Sequence, residues 1–531
     1  MQTQLPVLIR ALHDPARYPH PTRGVELIET HISWVLLTGP YAYKIKKPVD
    51  LGFLDFTTLA LRRHYCEEEL RLNRRFAAAL YLDVVAITGN ANAPCISSAS
   101  TEGEAIEYAV KMIQFEPEMR FDRLLSAGKL STALLERLAE ILAARHTEAR
   151  RAESDEGYGT PEAIDAPARA NFAHITLPPS FTTERHMLAE LAQWSETTHT
   201  RLTPRFMQRL DDGFVRACHG DLHLANITLY GDEPTPFDCL EFDPALSTID
   251  VMNEIAFLLM DLDRHHCCDL GLRFLNEYLH HSGDYEGLEV LRFYQVYRAM
   301  VRAKVESIRL SQISAATDTE KYAGEDKVWS DLRGYIRLAH AYTRKAPVAL
   351  LVTHGLSGSG KTTLSRELLA PCGLVRVRSD VERKRLAGFR PEERTGSATG
   401  GGVYTASASA RTYQRLEDIA SMIIAAGFPA LVDATFLQRA QRDNFRALAA
   451  KLGVPFLLLD FHAEEALLRA RLQARKAGSD ASEAGNAVLD QQLRTQETLA
   501  PDELARALHI DAGAEIDYAA LIATIRARIE R

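Results

Sequence analysis

Two parts of different fold class are predicted for this chain: a bilobal α+β part over residues 1–345, then an α/β part built on a parallel sheet over residues 346–531. Three observations lead there. An apolar run, Val348 to Val352, feeds Gly355-x-x-x-x-Gly360-Lys361-Thr362 and then a helix-compatible segment, the strand–loop–helix order of a phosphate-binding loop. Beyond it, short apolar runs ending in aspartates alternate with helical segments, the pattern of a parallel sheet covered on both faces. Before it, β-rich runs at 28–49 give way to long helical segments and a His219-Gly-Asp221 loop, and Ala346-Pro347 marks the boundary.

The composition sets limits. At 531 residues the chain exceeds one ordinary core. Hydrophobic residues at 46 % and charged ones at 25 % describe a globular protein with ample core material. A formal charge of −9 argues against a nucleic-acid coat, which needs a basic surface. No apolar run approaches the ~18 residues of a membrane span. The start, MQTQLPVLIR, lacks the basic and long apolar regions of a signal peptide. A cytoplasmic protein with no membrane partner is therefore expected. Seven cysteines without zinc-type spacing fit reduced thiols. The run His265-His266-Cys267-Cys268 invites a metal, but four adjacent side chains cannot converge on one ion.

Residues 28–49 read as a hairpin turning at Gly39-Pro40. On its second strand Lys44 and Lys46 share a face, because strand side chains repeat every two residues. The next segment, Leu59 to Ala79, has helical spacing and carries Glu67, Glu68 and Glu69. A strand lysine with a helix glutamate is how a kinase small lobe holds phosphates. The choices between Lys44 and Lys46, and between Glu68 and Glu69, stay open by one step. Ala86 to Glu107 holds small and turn residues, Tyr108 to Ile113 reads as a strand, and FEPEMRFDRLL as a linker into a helical lobe. Leu130 to Arg150 is an amphipathic helix. Residues 151–170, rich in Glu, Gly, Pro and Ala, read as a surface loop.

The stretch CHGDLHLANITLYGDEPTPFDCLEFD, 218–243, carries the chemistry of this part. Ile227 to Tyr230 and Thr235 to Leu240 read as strands joined near Asp232. That turn folds Asn226 opposite Asp238, so that an amide and a carboxylate face one Mg²⁺, a cation that prefers oxygen ligands. Asp221 is placed to take the proton of an attacking hydroxyl. These are the catalytic loop and metal aspartate of a protein-kinase-like bilobal fold.

CHGDLHLANI, FDCLEFDP, Ile249-Asp250 and EIAFLLMDLD resemble the aminoglycoside phosphotransferase-like kinases over roughly residues 25–310, in the branch with YKIKKPVDLGFLDF and YCEEELRLNRR. The resemblance implies Lys44 on the phosphates with Glu69 as partner, Asp221 as base, and Asn226 and Asp238 as metal ligands. It also implies Asp250 as a residue that steadies the loop. No G-x-G-x-x-G lies between Gly24 and Lys44, so an ordinary protein kinase is excluded. An antibiotic substrate does not follow from the resemblance, since fold is not function.

In the second part, the backbone N–H groups of Gly355, Ser357, Gly358, Ser359, Gly360, Lys361, Thr362 and Thr363 are the ones that curl around phosphates, with the helix N-terminus adding its positive end. Lys361 reaches the β- and γ-phosphates and the Thr362 hydroxyl ligates Mg²⁺. Strands follow at 374–377, 430–432 and 454–459, ending at Ser379-Asp380, Asp433 and Asp460. Ligands of such sheets bind beyond the strand carboxyl ends. Asp433 suits the Mg²⁺ side. Asp380 suits activation of an acceptor hydroxyl, and Arg383, one helical turn on, suits a forked grip on an anionic substrate. Arg471 and Arg475 share a helix face next to the tract KAGSDASEAG, which reads as a closing lid. The tract Thr395 to Ser409 borders the acceptor site.

GLSGSGKTT, RSDVERK, VDATF and LRARLQAR resemble the small P-loop kinases that include gluconate kinase-like enzymes, polynucleotide 5′-kinases and zeta-toxin-like kinases, over roughly residues 348–500. This implies ATP on the loop, Asp380 as acceptor base and Arg475 as lid arginine. The order of the two parts resembles bacterial fusions of an aminoglycoside phosphotransferase-like domain with an ATP-binding domain.

The expected function is ATP-dependent phosphotransfer at two Mg·ATP sites, with hydroxyl groups of small polar metabolites as acceptors. Two other readings stay open. One domain can be a nucleotide sensor that regulates the other. The second can be a polynucleotide 5′-kinase, supported by Arg378, Arg383, Lys384, Arg385 and Arg390 but opposed by the acidic total.

Overall fold

Alternation along Ser33–Leu37 and Tyr41–Lys46 puts Trp34, Leu36, Tyr43 and Ile45 into one apolar cluster. The other face of the same strands therefore carries Ala42, Lys44 and Lys46, all buried. That geometry, seen in a computed structural model describing residues 5–52, 54–96, 104–315, 321–397, 401–474 and 481–530, fixes the first site. The chain forms two compact units. The first comprises 1–141, 145–264 and 293–340, and the second 142–144, 265–292 and 341–531.

In the first unit, β1 (Glu26–Glu29), β2 (Ser33–Leu37), β3 (Tyr41–Lys46), β4 (Tyr81–Asn90), β5 (Ala93–Ile96) and β6 (Glu107–Ile113) make a six-stranded sheet of order β1-β2-β3-β6-β4-β5. Every neighbouring pair is antiparallel. Gly39, at φ 95°, opens the β2–β3 turn, as the sequence predicts. The tract from Ala86 reads differently from expectation. It holds the end of β4 and all of β5, turned at Asn90, whose side-chain oxygen accepts from the N–H of Asn92. The helix Leu59–Ala77, capped by Thr58, packs on the lysine face of the sheet.

Most of the remainder of this unit is helical, with Phe121–Ser126, Thr132–Glu148, Pro161–Ala173, Thr182–Asp211 and Val251–Arg264. Pro161–Ala173 replaces part of the expected loop. Thr160 caps it by accepting from Ala163 N, and Pro161 fills a position that needs no N–H. Helices Leu288–Ala315 and Lys321–Tyr342 follow. Two short antiparallel pairs frame the loop chemistry: β7 (Val215–Ala217) with β10 (Thr248–Asp250), and β8 (Ile227–Tyr230) with β9 (Glu233–Pro236).

The second unit is a parallel five-stranded sheet, as predicted, but one strand longer than the three runs and the leading strand read from the sequence. Its strands are β11 (Leu350–His354), β12 (Val375–Arg378), β13 (Ala430–Asp433), β14 (Phe456–His462) and β15 (Leu508–Asp511), ordered β12-β13-β11-β14-β15. Leu350, Leu351 and Val352 are fully buried. Edge strand β12 is covered by the helix Cys268–Ser282, which belongs to this unit although it precedes the 345/346 boundary read from the sequence. Asn276 donates to Leu374 O at 3.0 Å and accepts from Arg376 N at 2.8 Å. Tyr285 donates to Arg376 O. These contacts occupy edge groups that would otherwise invite another strand.

All seven cysteines are free thiols. Among the described residues, His265, His266, Cys267 and Cys268 form no common ligand set. No described helix is long and apolar enough to cross a membrane.

Candidate active sites

In the first unit, the two candidate lysines converge on one glutamate. Lys44 Nζ lies 2.9 Å from Glu69 Oε1, and Lys46 Nζ lies 2.8 Å from Glu69 Oε2. Glu68 is not involved; it pairs with Arg71 at the surface. The lysines then divide. Lys44 reaches Asp238 Oδ1 at 2.5 Å, while Lys46, wholly buried, contacts Glu241. Burial by itself would raise the Glu69 pKa, but the two ammonium groups overcome it and hold the carboxyl well below its usual range. Burial likewise disfavours charge on Lys44, and Asp238 and Glu69 more than offset it. Lys44 thus faces Asp238, the expected metal ligand, and Lys46 anchors Glu69 from behind.

Asp238 is set by its backbone. It sits at φ 65°, a sparsely populated conformation for a non-glycine residue. Its N–H donates to Tyr81 Oη at 3.1 Å, and Cys239 N donates to Asn73 Oδ1 at 2.9 Å. The β8–β9 hairpin turns through Gly231 and Asp232, both at positive φ, as a two-residue hairpin turn requires. Its centre falls half a residue earlier than the sequence reading places it. Ile227 pairs with Pro236, so Asn226 lies beside Phe237 and not opposite Asp238. The second strand is correspondingly Glu233–Pro236, shorter than the expected 235–240, and Asp238 follows it.

The loop around Asp221 is tied down from three sides. Asn226 Nδ2 donates to Asp221 Oδ2 at 3.0 Å, and His223 Nε2 lies 3.5 Å from the same oxygen. Burial pushes the Asp221 pKa up, but His223, His219 and Arg302 pull it far below the usual carboxylate range, so Asp221 is ionised. His219 Nε2–H donates to Phe237 O at 2.8 Å, linking the loop to the hairpin. Gly220 is at φ 88°, and a Cβ there would lie 2.9 Å from Leu246 O.

Glu254 takes the steadying role that the family resemblance implies for Asp250. Its Oε2 accepts from His219 N and Gly220 N at 2.6 and 2.8 Å, and its Oε1 meets His146 Nε2 at 3.0 Å. Asp261 accepts from Leu224 N. Asp250 instead clamps Arg209 with both oxygens. Glu254 and Asp261 interrupt the apolar run EIAFLLMDLD. A carboxylate in a helix buried on all sides needs a partner, and that is the signal by which the sequence could have revealed them.

In the second unit, β11 delivers the chain into a loop whose glycines are structurally required. A Cβ on Gly355, at φ 137°, would lie 2.2 Å from Phe461 O; one on Gly358, at φ 86°, 2.8 Å from Leu468 O. Gly360, at φ 81°, caps the helix Lys361–Leu369. Thr362 Oγ1 donates to Asp433 Oδ2 at 2.8 Å, joining the two residues expected to serve Mg²⁺. Lys361 Nζ donates to Gly355 O and Leu356 O, and Ser357 N donates to Gln492 Oε1 at 2.8 Å. An amide oxygen there stands where an anionic oxygen would fit. Ser359 is buried inside the loop, and Thr363 borders the same cavity.

Asp380, at the start of the helix Ser379–Leu386, lines a cavity with Lys361, Thr362, Arg383, Tyr404 and Asp433. Arg383 lies 5.3 Å from the Tyr404 ring centre and donates to Ser409 Oγ, so the tract 401–409 meets the expected acceptor side. Arg471 Nη2 donates to Ala512 O, with Nη1 3.4 Å from Gly358 O beside the loop. Arg475 lies outside the described residues.

Residues 350–499 match the family model described as an AAA domain. An uncharacterized protein of Mycobacterium tuberculosis is 28 % identical over 459 residues, covering 86 % of this chain and 88 % of the relative. Among solved structures, the C-terminal part is similar to a sugar kinase from Janibacter sp., at 21 % identity and TM-score 0.26, covering 34 % of this chain and 92 % of that one. The N-terminal part is similar to a choline/ethanolamine kinase family protein from Mesorhizobium loti, at 13 % identity and TM-score 0.37, covering 63 % and 98 %.

Proposed function

We propose that the chain is an ATP-dependent phosphotransferase with two Mg·ATP sites, moving the γ-phosphate to hydroxyl groups of small polar metabolites. One observation supports this reading: in each compact unit the residues expected to handle phosphate, metal and proton are engaged with one another in short polar contacts. In the first, Lys44 bridges Glu69 and Asp238, and Asn226 holds Asp221. In the second, the glycine loop, Lys361, Thr362 and Asp433 are joined directly, with Asp380 facing the same cavity.

Bound Mg·ATP supplies the transferable phosphoryl group and the cation that neutralises its charge. Asn226 and Asp238 would hold the cation in the first unit, and Thr362 and Asp433 in the second. Asp221 takes the acceptor proton at Oδ1, because Oδ2 is already engaged by Asn226. Asp380 takes the corresponding role beside the P-loop, and Arg383, stacked near Tyr404, grips an anionic acceptor.

Equilibrium dialysis of the full chain with Mg²⁺ and a non-hydrolysable ATP analogue tests the reading. Two equivalents are expected in wild type, falling to one in Lys44→Met and in Lys361→Ala. A single equivalent in wild type, unaffected by one of these variants, would remove that variant's unit from the proposal.

A further inference from the structure

The helix Cys268–Ser282 does more than cover β12. Glu277, His280 and His281 stand at i, i+3 and i+4, so one helix surface presents all three. One donor atom from each lies within 4.8 Å of the others. His281 Nε2 is 3.2 Å from Glu277 Oε1. Glu392, in the turn after Ser379–Leu386, stands beside both rings: its Oε1 is 3.5 Å from His280 Nε2 and 3.7 Å from His281 Nδ1.

Glu392 meets the ring nitrogen of His281 opposite the one that faces Glu277, so it stands behind the imidazoles and not in the same ligand set. Ligands held at about 2.1 Å in a tetrahedron around zinc lie about 3.4 Å from one another, and Glu277 Oε1 and His281 Nε2 stand at 3.2 Å. We propose that Glu277, His280 and His281 form a binding site for a divalent transition metal of the zinc class, with Glu392 orienting the imidazoles.

The donor set fits that class and not magnesium. Imidazole with carboxylate suits zinc and its neighbours, whereas Mg²⁺ takes an all-oxygen shell. Each ring nitrogen of His281 faces a carboxylate, so one ligates while the other is held in orientation, as metal-bound imidazoles require. Glu277, His280 and Glu392 line a cavity that extends to Gly358, Thr363 and Arg378. Through Glu392 the bound metal joins the helix that covers β12 to the turn leading into Thr395, whose N–H and hydroxyl are held by Glu483.

The test uses the full chain, stripped with a chelator and dialysed. Elemental analysis after one equivalent of Zn²⁺, and visible absorption during Co²⁺ titration, are the readouts. One retained zinc per chain and a tetrahedral Co²⁺ spectrum are expected, both lost in H280Q/H281Q and both unchanged in D433N. Glu392→Gln, whose side chain is half exposed, should fold normally and weaken Co²⁺ binding at least about tenfold. Failure of wild type to retain metal would overturn the proposal. So would wild-type retention by Glu392→Gln and H280Q/H281Q, or loss of the spectrum in C267S/C268S alone.

Discussion

Lys44 Nζ sits 2.5 Å from Asp238 Oδ1, across the two lobes of the first unit. On the proposed reading, phosphate and Mg²⁺ would claim these two groups. Lys46, two residues on, is committed instead to Glu69 and Glu241. The two lysines should therefore respond differently to the same substitution.

Lys44→Met is expected to reduce transfer by the first unit by two orders of magnitude or so, with the fold kept because Glu69 retains Lys46. Lys46→Met leaves Glu241 buried beside Glu69 without a cation, and should cost about 3–5 kcal/mol. Urea unfolding and initial-rate measurements on both variants separate the two effects. Equal losses of stability would contradict the division of roles.

Gly358→Ala places a methyl group 2.8 Å from Leu468 O at a positive φ. The strain is of order 1–3 kcal/mol, and relief requires the loop to move. Nucleotide affinity of the second unit should fall about tenfold or more, while the first unit's transfer stays unchanged. Isothermal titration with an ATP analogue in the Lys44→Met background isolates the effect.

Thr362→Val removes the hydroxyl that joins Asp433 and is expected to abolish the Mg²⁺ dependence of nucleotide binding at the loop. Binding measured with and without Mg²⁺ should converge in this variant. A full Mg²⁺ response would place the cation elsewhere.

Glu254 sets a pH dependence. Burial alone would raise its pKa, but hydrogen bonding and charge from His146, with His219 and Gly220 N–H adding to it, lower it below 4.5. A depressed carboxyl contributes stability above its unfolded pKa and loses it as pH falls through the folded value. Glu254→Gln keeps the shape and removes the titration. The stability difference between wild type and this variant should be constant from neutral pH to about pH 5 and shrink below pH 4.5. Denaturant midpoints across that range provide the check, and a difference that grows on acidification would refute the assignment.

Local chemistry was legible in the sequence; long-range partnership was not. The P-loop, Thr362 and Asp433 follow from spacing within single strand–loop–helix segments. Lys44, Glu69, Asp221 and Asp238 were legible as types, while the choice of Glu69 over Glu68 needed the helix phase against β3. The Asn226 register missed by one residue, because the centre of a two-residue turn decides it. Glu241, Glu254 and Gln492 act on residues 195, 35 and 135 positions away, and no pattern of one segment encodes them. The helix Pro161–Ala173 did carry its signal, Thr160-Pro161 as cap and first turn, beneath a loop-like composition. The membership of 265–292 in the second unit depends on Asn276 meeting the backbone of β12, a contact about 100 residues distant.

The most direct measurement is transfer of labelled γ-phosphate from ATP into a fractionated pool of small hydroxylated metabolites, with wild type, Asp221→Asn and Lys361→Ala side by side. Two labelled products are expected, one lost in Asp221→Asn and the other in Lys361→Ala. Both products persisting in both variants would contradict the assignment of two phosphotransfer sites to these residues.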